Sequence, residues 1–235
     1  MKKILVFVLA LALCLSCAAA LAEEGVAYGV YSMEGEHPDS LIRATVMTED
    51  GKVVSCAFDE KLIPVAVGGA SGWNELDAET AAKLNGAVVV SGDKTYAAAF
   101  KLGDIVWTVD AELNVTNPEK GEFMAYVTTP EGGAWYFAQE SADLLGADGN
   151  VAVTVPVGTK ESINHGVGFW PSELKFPGNI AALENFVVAN GTEYAQEDIK
   201  MGENGWQVAD AVTGATLAGT PNYLLLAKEA GASAK

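Results

Sequence analysis

Displaced against itself by about 98 residues, the chain finds an ordered series of matches, and this self-similarity constrains its fold more than any other feature. Asp50-Gly51-Lys52-Val53 aligns with Asp148-Gly149-Asn150-Val151. Trp73, followed by Glu75-Leu76, aligns with Trp170, followed by Glu173-Leu174, and Ala81-Ala82 aligns with Ala181-Ala182. Val89-Val90-Ser91-Gly92 matches Val187-Val188-Ala189-Asn190-Gly191, and Tyr96 matches Tyr194. The clearest pair sets Lys101-Leu102-Gly103-Asp104 and Trp107-Thr108-Val109 against Lys200-Met201-Gly202-Glu203 and Trp206-Gln207-Val208. Two tryptophans in each half at nearly constant offset argue against coincidence in an Ala/Val/Gly-rich chain. The expectation is two tandem copies of one small unit, residues 23–118 and 119–235, divided at the turn-rich Asn117-Pro118-Glu119-Lys120-Gly121.

Local patterns predict an α+β fold, each copy a small antiparallel sheet with helices. Leu41 to Met47 and Val53 to Phe58 alternate apolar and polar residues around Asp50-Gly51, a dipeptide suited to the positive φ of a tight hairpin turn. Val151 to Val155 alternates in the same way after Asp148-Gly149. Asp77 to Leu84 and Asn179 to Phe186 read as short helices, both leading into Val-rich strands. A last helix is expected from Pro221 to about Ala230, with Thr220 as its N-cap.

The N-terminus reads as an export signal, residues 1–22. Lys2 and Lys3 precede an apolar run from Ile4 to Leu15, and Ala20-Leu21-Ala22 offers small residues for cleavage after Ala22. The run is short for a membrane span, which takes about 20 residues. An alternative is lipidation at Cys17 after Ser16, although Cys14 stands where a lipobox carries Leu. Either route places the protein in the periplasm, on the cell surface or outside the cell. Cleavage after Ala22 leaves Cys56 as the lone cysteine, so no internal disulfide can support the fold. It also leaves 12 basic against 31 acidic residues, a net charge of −19. Such a field repels nucleic acid and anionic membrane surfaces, so no nucleic-acid partner is expected.

Conventional catalytic sets are missing from the sequence. His37 and His165 stand in dissimilar contexts, and there is no HExxH, CxxC, phosphate loop or Asp-rich calcium loop. No metal site or catalytic residue is expected. What remains is Asp210-Ala211-Val212-Thr213-Gly214-Ala215-Thr216-Leu217.

This stretch resembles the flavinylation motif of the FMN-binding domain family, Asp-small-X-Ser/Thr-Gly-Ala-Thr, and matches it at every specified position. The family includes the FMN-carrying subunits of sodium-pumping NADH:quinone reductases and exported flavoproteins of extracellular electron transfer. The resemblance implies a covalent FMN, joined through its phosphate to Thr216 by an exported flavin transferase that uses FAD and magnesium. It implies Asp210, Thr213, Gly214, Ala215 and Leu217 as the surrounding cofactor site. It also implies a membrane redox donor, such as an NADH dehydrogenase or a quinone-linked complex.

The residue types suit that role. A phosphoester needs a hydroxyl, which Thr216 supplies. Gly214 lets the backbone approach a phosphate with its neighbouring N–H groups turned to the anion. Ala215 would keep the site open to the transferase, and Thr213 can hydrogen-bond the backbone or a phosphate oxygen. Asp210 is repulsive toward a phosphate, so fixing the turn or binding a cation in the transferase complex is expected of it. The first copy reads Asp110-Ala111-Glu112-Leu113-Asn114-Val115-Thr116 at the matching place, and without the Gly no flavin is expected on Thr116. Phe169, Trp170 and Trp206 can stack on an isoalloxazine, but Trp73 and Trp107 occupy matching places in the copy without the motif, which favours core packing. The expected function is an electron carrier outside the cytoplasmic membrane. Alternatives are a small extracytoplasmic flavin-dependent reductase, or a non-redox surface protein with a vestigial motif.

Overall fold

The computed structural model describes residues 22–31, 40–62, 76–157 and 174–234. His37, Trp73, His165, Phe169 and Trp170 lie outside them, as does the expected signal peptide up to Leu21. The chain is mixed α+β, with several small antiparallel sheets and few helices.

The longest strands form a three-stranded meander: β1 (Glu23–Tyr31), β2 (Ser40–Glu49) and β3 (Lys52–Leu62). The β2–β3 hairpin closes at the expected turn, where Asp50 has φ 50° and Gly51 φ 72°. Positive φ at both central residues is the turn geometry that matches the right-handed twist of the strands. Helix α1 (Ala78–Lys83) follows, with Asp77 as its N-cap accepting from the Thr80 N–H at 2.6 Å. A two-stranded hairpin comes next, β4 (Val88–Ser91) and β5 (Lys94–Ala97).

A six-stranded antiparallel sheet occupies the middle of the chain. Strands β6 (Ala99–Leu102), β7 (Ile105–Val109), β8 (Val115–Asn117) and β9 (Gly121–Glu122) run as a meander. Helices α2 (Phe123–Val127) and α3 (Pro130–Phe137) then return the chain to the other edge. There β10 (Ser141–Leu145) pairs with β6, and β11 (Val151–Pro156) pairs with β10. The turn expected to divide two copies thus lies inside one continuous sheet. Its geometry is as local as the sequence suggested: Asn117 Oδ1 accepts from the N–H groups of Glu119 and Lys120 at 2.8 and 2.9 Å.

The C-terminal part contains α4 (Lys175–Asn190), a three-residue 3-10 turn (Gln196–Asp198), and a small sheet of β12 (Ile199–Gly202), β13 (Gly205–Val208) and β14 (Ala211–Val212). Helix α5 (Thr220–Ser233) ends it. Two expectations are corrected here. Val187-Val188-Ala189-Asn190 is the last turn of α4 and not a strand. Phe176, Ile180, Leu183 and Val187 recur at helical spacing and are buried together, and this period outweighs the strand preference of two valines. The N-cap of α5 is Gly219; Thr220 is already helical, and its buried hydroxyl finds no partner.

The meander separates two cores. Ile42, Ala44, Val46, Cys56 and Phe58 face α4 and α5, whose Leu183, Phe186, Tyr223, Leu224 and Ala227 complete the first. Leu41 faces the other way, joining Trp107, Phe123, Tyr136, Leu144 and their neighbours in the second. Alternation along β2 puts even-numbered residues in one core and Leu41 in the other. Helix α5 lies close on β1 because that strand presents glycine to it. A Cβ at Gly25 would fall on the Ala230 carbonyl oxygen, and one at Gly29 would meet the Leu226 side chain at 2.8 Å.

Candidate functional site

The residues 210–217 follow directly from the β13–β14 turn. Ala209 sits at φ 53° with its N–H on the Asp198 carbonyl at 2.9 Å, and Asp210 is exposed at the turn's tip. Two residues of β14 follow, and the chain then runs without regular secondary structure from Thr213 to Leu217 before α5 begins.

Burial alternates along this run. Thr213, Ala215 and Leu217 are 5 %, 0 % and 6 % exposed, whereas Gly214 is open to solvent and Thr216 is half-buried. Ala215 and Leu217 belong to the core beneath the meander. Ala215 therefore does not hold the surface open, as the sequence suggested; its methyl anchors the loop from below. Gly214 has φ 80°, and a Cβ there would meet only the Ala182 methyl at 3.6 Å. Glycine is required here for the backbone angle, and steric room is ample.

The loop is tied to Trp206 through the backbone. The Trp206 carbonyl accepts from both the N–H and the hydroxyl of Thr213, each at 2.8 Å, and the Trp206 N–H donates to the Ala215 carbonyl at 2.9 Å. Thr213 Oγ1 also accepts from the Ala215 N–H at 3.1 Å. Of the two functions open to Thr213, binding backbone is the one these contacts serve. The expectation that N–H groups beside Gly214 face an anion is corrected by the same contacts. Those of Thr213 and Ala215 are spent inside the loop, and that of Thr216 goes to Asn179.

Asn179 is the residue that sequence reasoning missed. It is fully buried on α4, and its Oδ1 accepts from the Thr216 N–H at 2.6 Å and from Thr216 Oγ1 at 3.2 Å. Its Nδ2 donates to the Lys175 carbonyl at 2.6 Å. The available signal was an amide on the apolar stripe of a helix, three residues after Phe176 and one before Ile180, where a buried polar group needs a partner. Through it Thr216 is tied to the second turn of α4. At the start of α5 the N–H groups of Thr220, Asn222 and Tyr223 are bonded to the carbonyls of Leu217 and Gly219, and Pro221 has none.

The two matching tryptophans differ. Trp107 is fully buried and packs edge-on to Phe123, with ring centroids 4.9 Å apart. Trp206 is half-buried and outside both cores; the indole Nε1 of each is buried without an acceptor. Thr116, the counterpart of Thr216, is exposed on β8 opposite Thr108 and Glu122. A groove of about 720 Å³ lies between the β2–β3 turn and the C-terminal ends of α4 and α5, lined by Thr48, Lys52, Asn190 and Thr192 among others. None of residues 210–217 lines it.

Among the described residues there is no group of three or more His, Cys, Asp or Glu side chains able to hold a metal ion, and no helix is long and apolar enough to cross a membrane. Comparisons with protein-family models, with curated proteins and with solved structures give no match.

Proposed function

We propose that this chain is an exported flavoprotein that carries one FMN as a phosphoester on Thr216 and relays electrons outside the cytoplasmic membrane. The observation that carries this reading is the layout of the loop. Thr213, Ala215 and Leu217 fasten it to the protein, while Gly214 and Thr216 lie on its outer side. A hydroxyl on a half-buried, firmly held segment is accessible to a modifying enzyme yet does not wander. Since the N–H groups of Thr213, Ala215 and Thr216 are engaged by the protein, a covalent bond is the sensible means of retaining a phosphate there.

FMN, once attached, supplies the redox chemistry, and the chain supplies placement and charge. Its acidic surface, −17 for the whole sequence, favours partners with basic docking faces. The donor would be a membrane NADH dehydrogenase or quinone-linked complex, and the loading enzyme an exported transferase acting on FAD with magnesium.

The duplication is part of the same reading. Hairpin, helix, hairpin, short strand and helix recur in order in β2–β3, α1, β6–β7, β8 and α2–α3 and in β10–β11, α4, β12–β13, β14 and α5, with the division after α3 and not at Asn117–Gly121. The β4–β5 hairpin and β9 of the first series have no counterpart in the second. The first hairpin packs with the second set of helices, and the second hairpin joins the first set of strands. Two copies that exchanged their leading hairpins account for both the sequence matches and this cross-packing.

Intact-mass spectrometry after incubation with the transferase, FAD and magnesium tests the assignment. Wild type gains one FMN-sized increment that survives denaturation, and Thr216→Ala gains none. An increment persisting in Thr216→Ala would overturn the site.

A further inference from the structure

We propose that Asn179 is the positioning residue that presents the Thr216 hydroxyl for flavinylation, and that attachment turns the threonine side chain away from it. The inference rests on the reading of Thr216 as the acceptor.

The orientation of the Asn179 amide is fixed by what surrounds it. The Thr216 N–H can only donate, so the amide oxygen must face it at 2.6 Å. The Lys175 carbonyl can only accept, so Nδ2 must face that at 2.6 Å. Asn179 is fully buried, and a flip would set donor against donor and acceptor against acceptor. With Oδ1 held toward the loop, it also takes the proton of Thr216 Oγ1 at 3.2 Å. One buried atom therefore holds both the backbone N–H and the hydroxyl of Thr216.

Transfer changes what Oγ1 can do. A bond forms between Oγ1 and the FMN phosphorus of FAD, the anhydride bond to AMP breaks, and AMP departs with the electron pair. The hydroxyl proton goes to a base of the transferase, because a neutral amide oxygen is too weak a base to keep it. Oγ1 is then an ester oxygen with no proton, facing an acceptor at 3.2 Å. The amide cannot turn, so the threonine side chain rotates, while the Thr216 N–H keeps its bond to Oδ1. Asn179 thus holds the unmodified residue and releases its side chain once modified.

Two measurements on the full mature chain test this. The first is flavinylation kinetics, read by intact mass, for wild type, Asn179→Ala and Asn179→Asp. Misplacing a nucleophile by about 1 Å costs about 100-fold, so Asn179→Ala is expected to lower kcat by about 10- to 100-fold with little change in the KM for the acceptor protein. Asn179→Asp keeps an acceptor oxygen and recovers a large part of the loss. The second needs no variant: scalar couplings of Thr216 report its χ1 before and after flavinylation, and a change of rotamer is expected with the amide signal still hydrogen-bonded. Wild-type kcat in Asn179→Ala, a loss confined to KM, an Asp variant no better than Ala, or an unchanged χ1 would each overturn the proposal while leaving Thr216 the acceptor. A wild-type chain that takes up no FMN removes the underlying reading instead.

Discussion

Glu60 and Lys61 are neighbours on β3, each only 5 % exposed, and they are buried on opposite faces of the same sheet. Glu60 accepts hydrogen bonds from the hydroxyls of Ser40 and Tyr223, which closes one end of the core beneath α5. Lys61 donates to the carbonyls of Tyr136 at 3.3 Å and Phe137 at 2.9 Å and to that of Gln139, and so caps the C-terminal end of α3. A positive charge on exposed carbonyls at a helix C-terminus is favourable. The two side chains tie the meander to the helices on either side of it.

Lys61 gives the fold a defined pH dependence. Burial pushes its amine from the ordinary 10.5 down to about 8, with Glu140 opposing and Arg43 adding to the shift. The folded value lies below the unfolded one, so the penalty is present in full below about pH 8 and is relieved as pH rises toward 10.5. Cys56 acts in the other direction. Burial, with Glu184 adding, raises its thiol from 9 to about 12, so the unfolded state loses that proton first above pH 9. Urea unfolding should therefore show stability rising between pH 7.5 and 9 with a slope below about 1.4 kcal/mol per pH unit, then falling at higher pH. Lys61→Met should lower stability at pH 7.5 and abolish the rise. A rise that persists in Lys61→Met would assign it to another group.

The contact between β1 and α5 predicts a severe effect from one methyl group. In Gly25→Ala the new Cβ falls on the Ala230 carbonyl oxygen, with Ser233 Oγ and the Ala234 N–H 2.6 and 2.7 Å away. Backbone atoms cannot rotate aside, so α5 must move off the sheet. A loss of about 3 kcal/mol is expected, the upper part of the range for overpacking. A change under about 0.5 kcal/mol in urea unfolding would mean that α5 slides on β1 without cost, contrary to the packing described.

How much of this was readable in the sequence depended on how local the determining contacts are. The Asp50-Gly51 hairpin and the short helix after Asp77 are set by contacts within four residues, and both are where the pattern placed them. Val187 and Val188 favour a strand by residue type, but the helical period of Phe176, Ile180 and Leu183 continues through Val187 and decides the structure. The turn at Asn117–Gly121 was visible, but its place inside a sheet depends on β10 pairing with β6, about 40 residues away in sequence. Thr216 stood out by its motif. Asn179 did not, since its contact with Thr216 spans 37 positions and leaves no local trace beyond a polar residue on an apolar stripe.

Thr116 should remain unmodified. It lies in β8, paired with Thr108 and Glu122; Thr108 Oγ1 donates to the Thr116 carbonyl at 3.2 Å and lies 3.4 Å from the Thr116 hydroxyl. No glycine precedes it: Leu113-Asn114-Val115 stands in place of Thr213-Gly214-Ala215. One FMN increment per chain is expected, and Thr116→Ala should leave the yield unchanged. Two increments on wild type, with one lost in Thr116→Ala, would contradict this.

Gly214 separates backbone angle from space as the reason for glycine in the loop. At φ 80° an alanine is strained by about 1–2 kcal/mol, although its methyl has only the Ala182 methyl nearby at 3.6 Å. Gly214→Ala should therefore fold, with stability lowered by about 1–2 kcal/mol. Relief of that strain would pull on Thr213 and Ala215, whose bonds to Trp206 hold the loop, and so displace Thr216 from Asn179. Flavinylation should slow by more than the stability loss alone explains. Asn tolerates positive φ far better than Ala, so Gly214→Asn should regain most of the stability and the rate even though its side chain is larger. Were space the limiting factor, the order would reverse, with Asn the worse of the two; measuring urea midpoints and flavinylation rates for both variants decides between them.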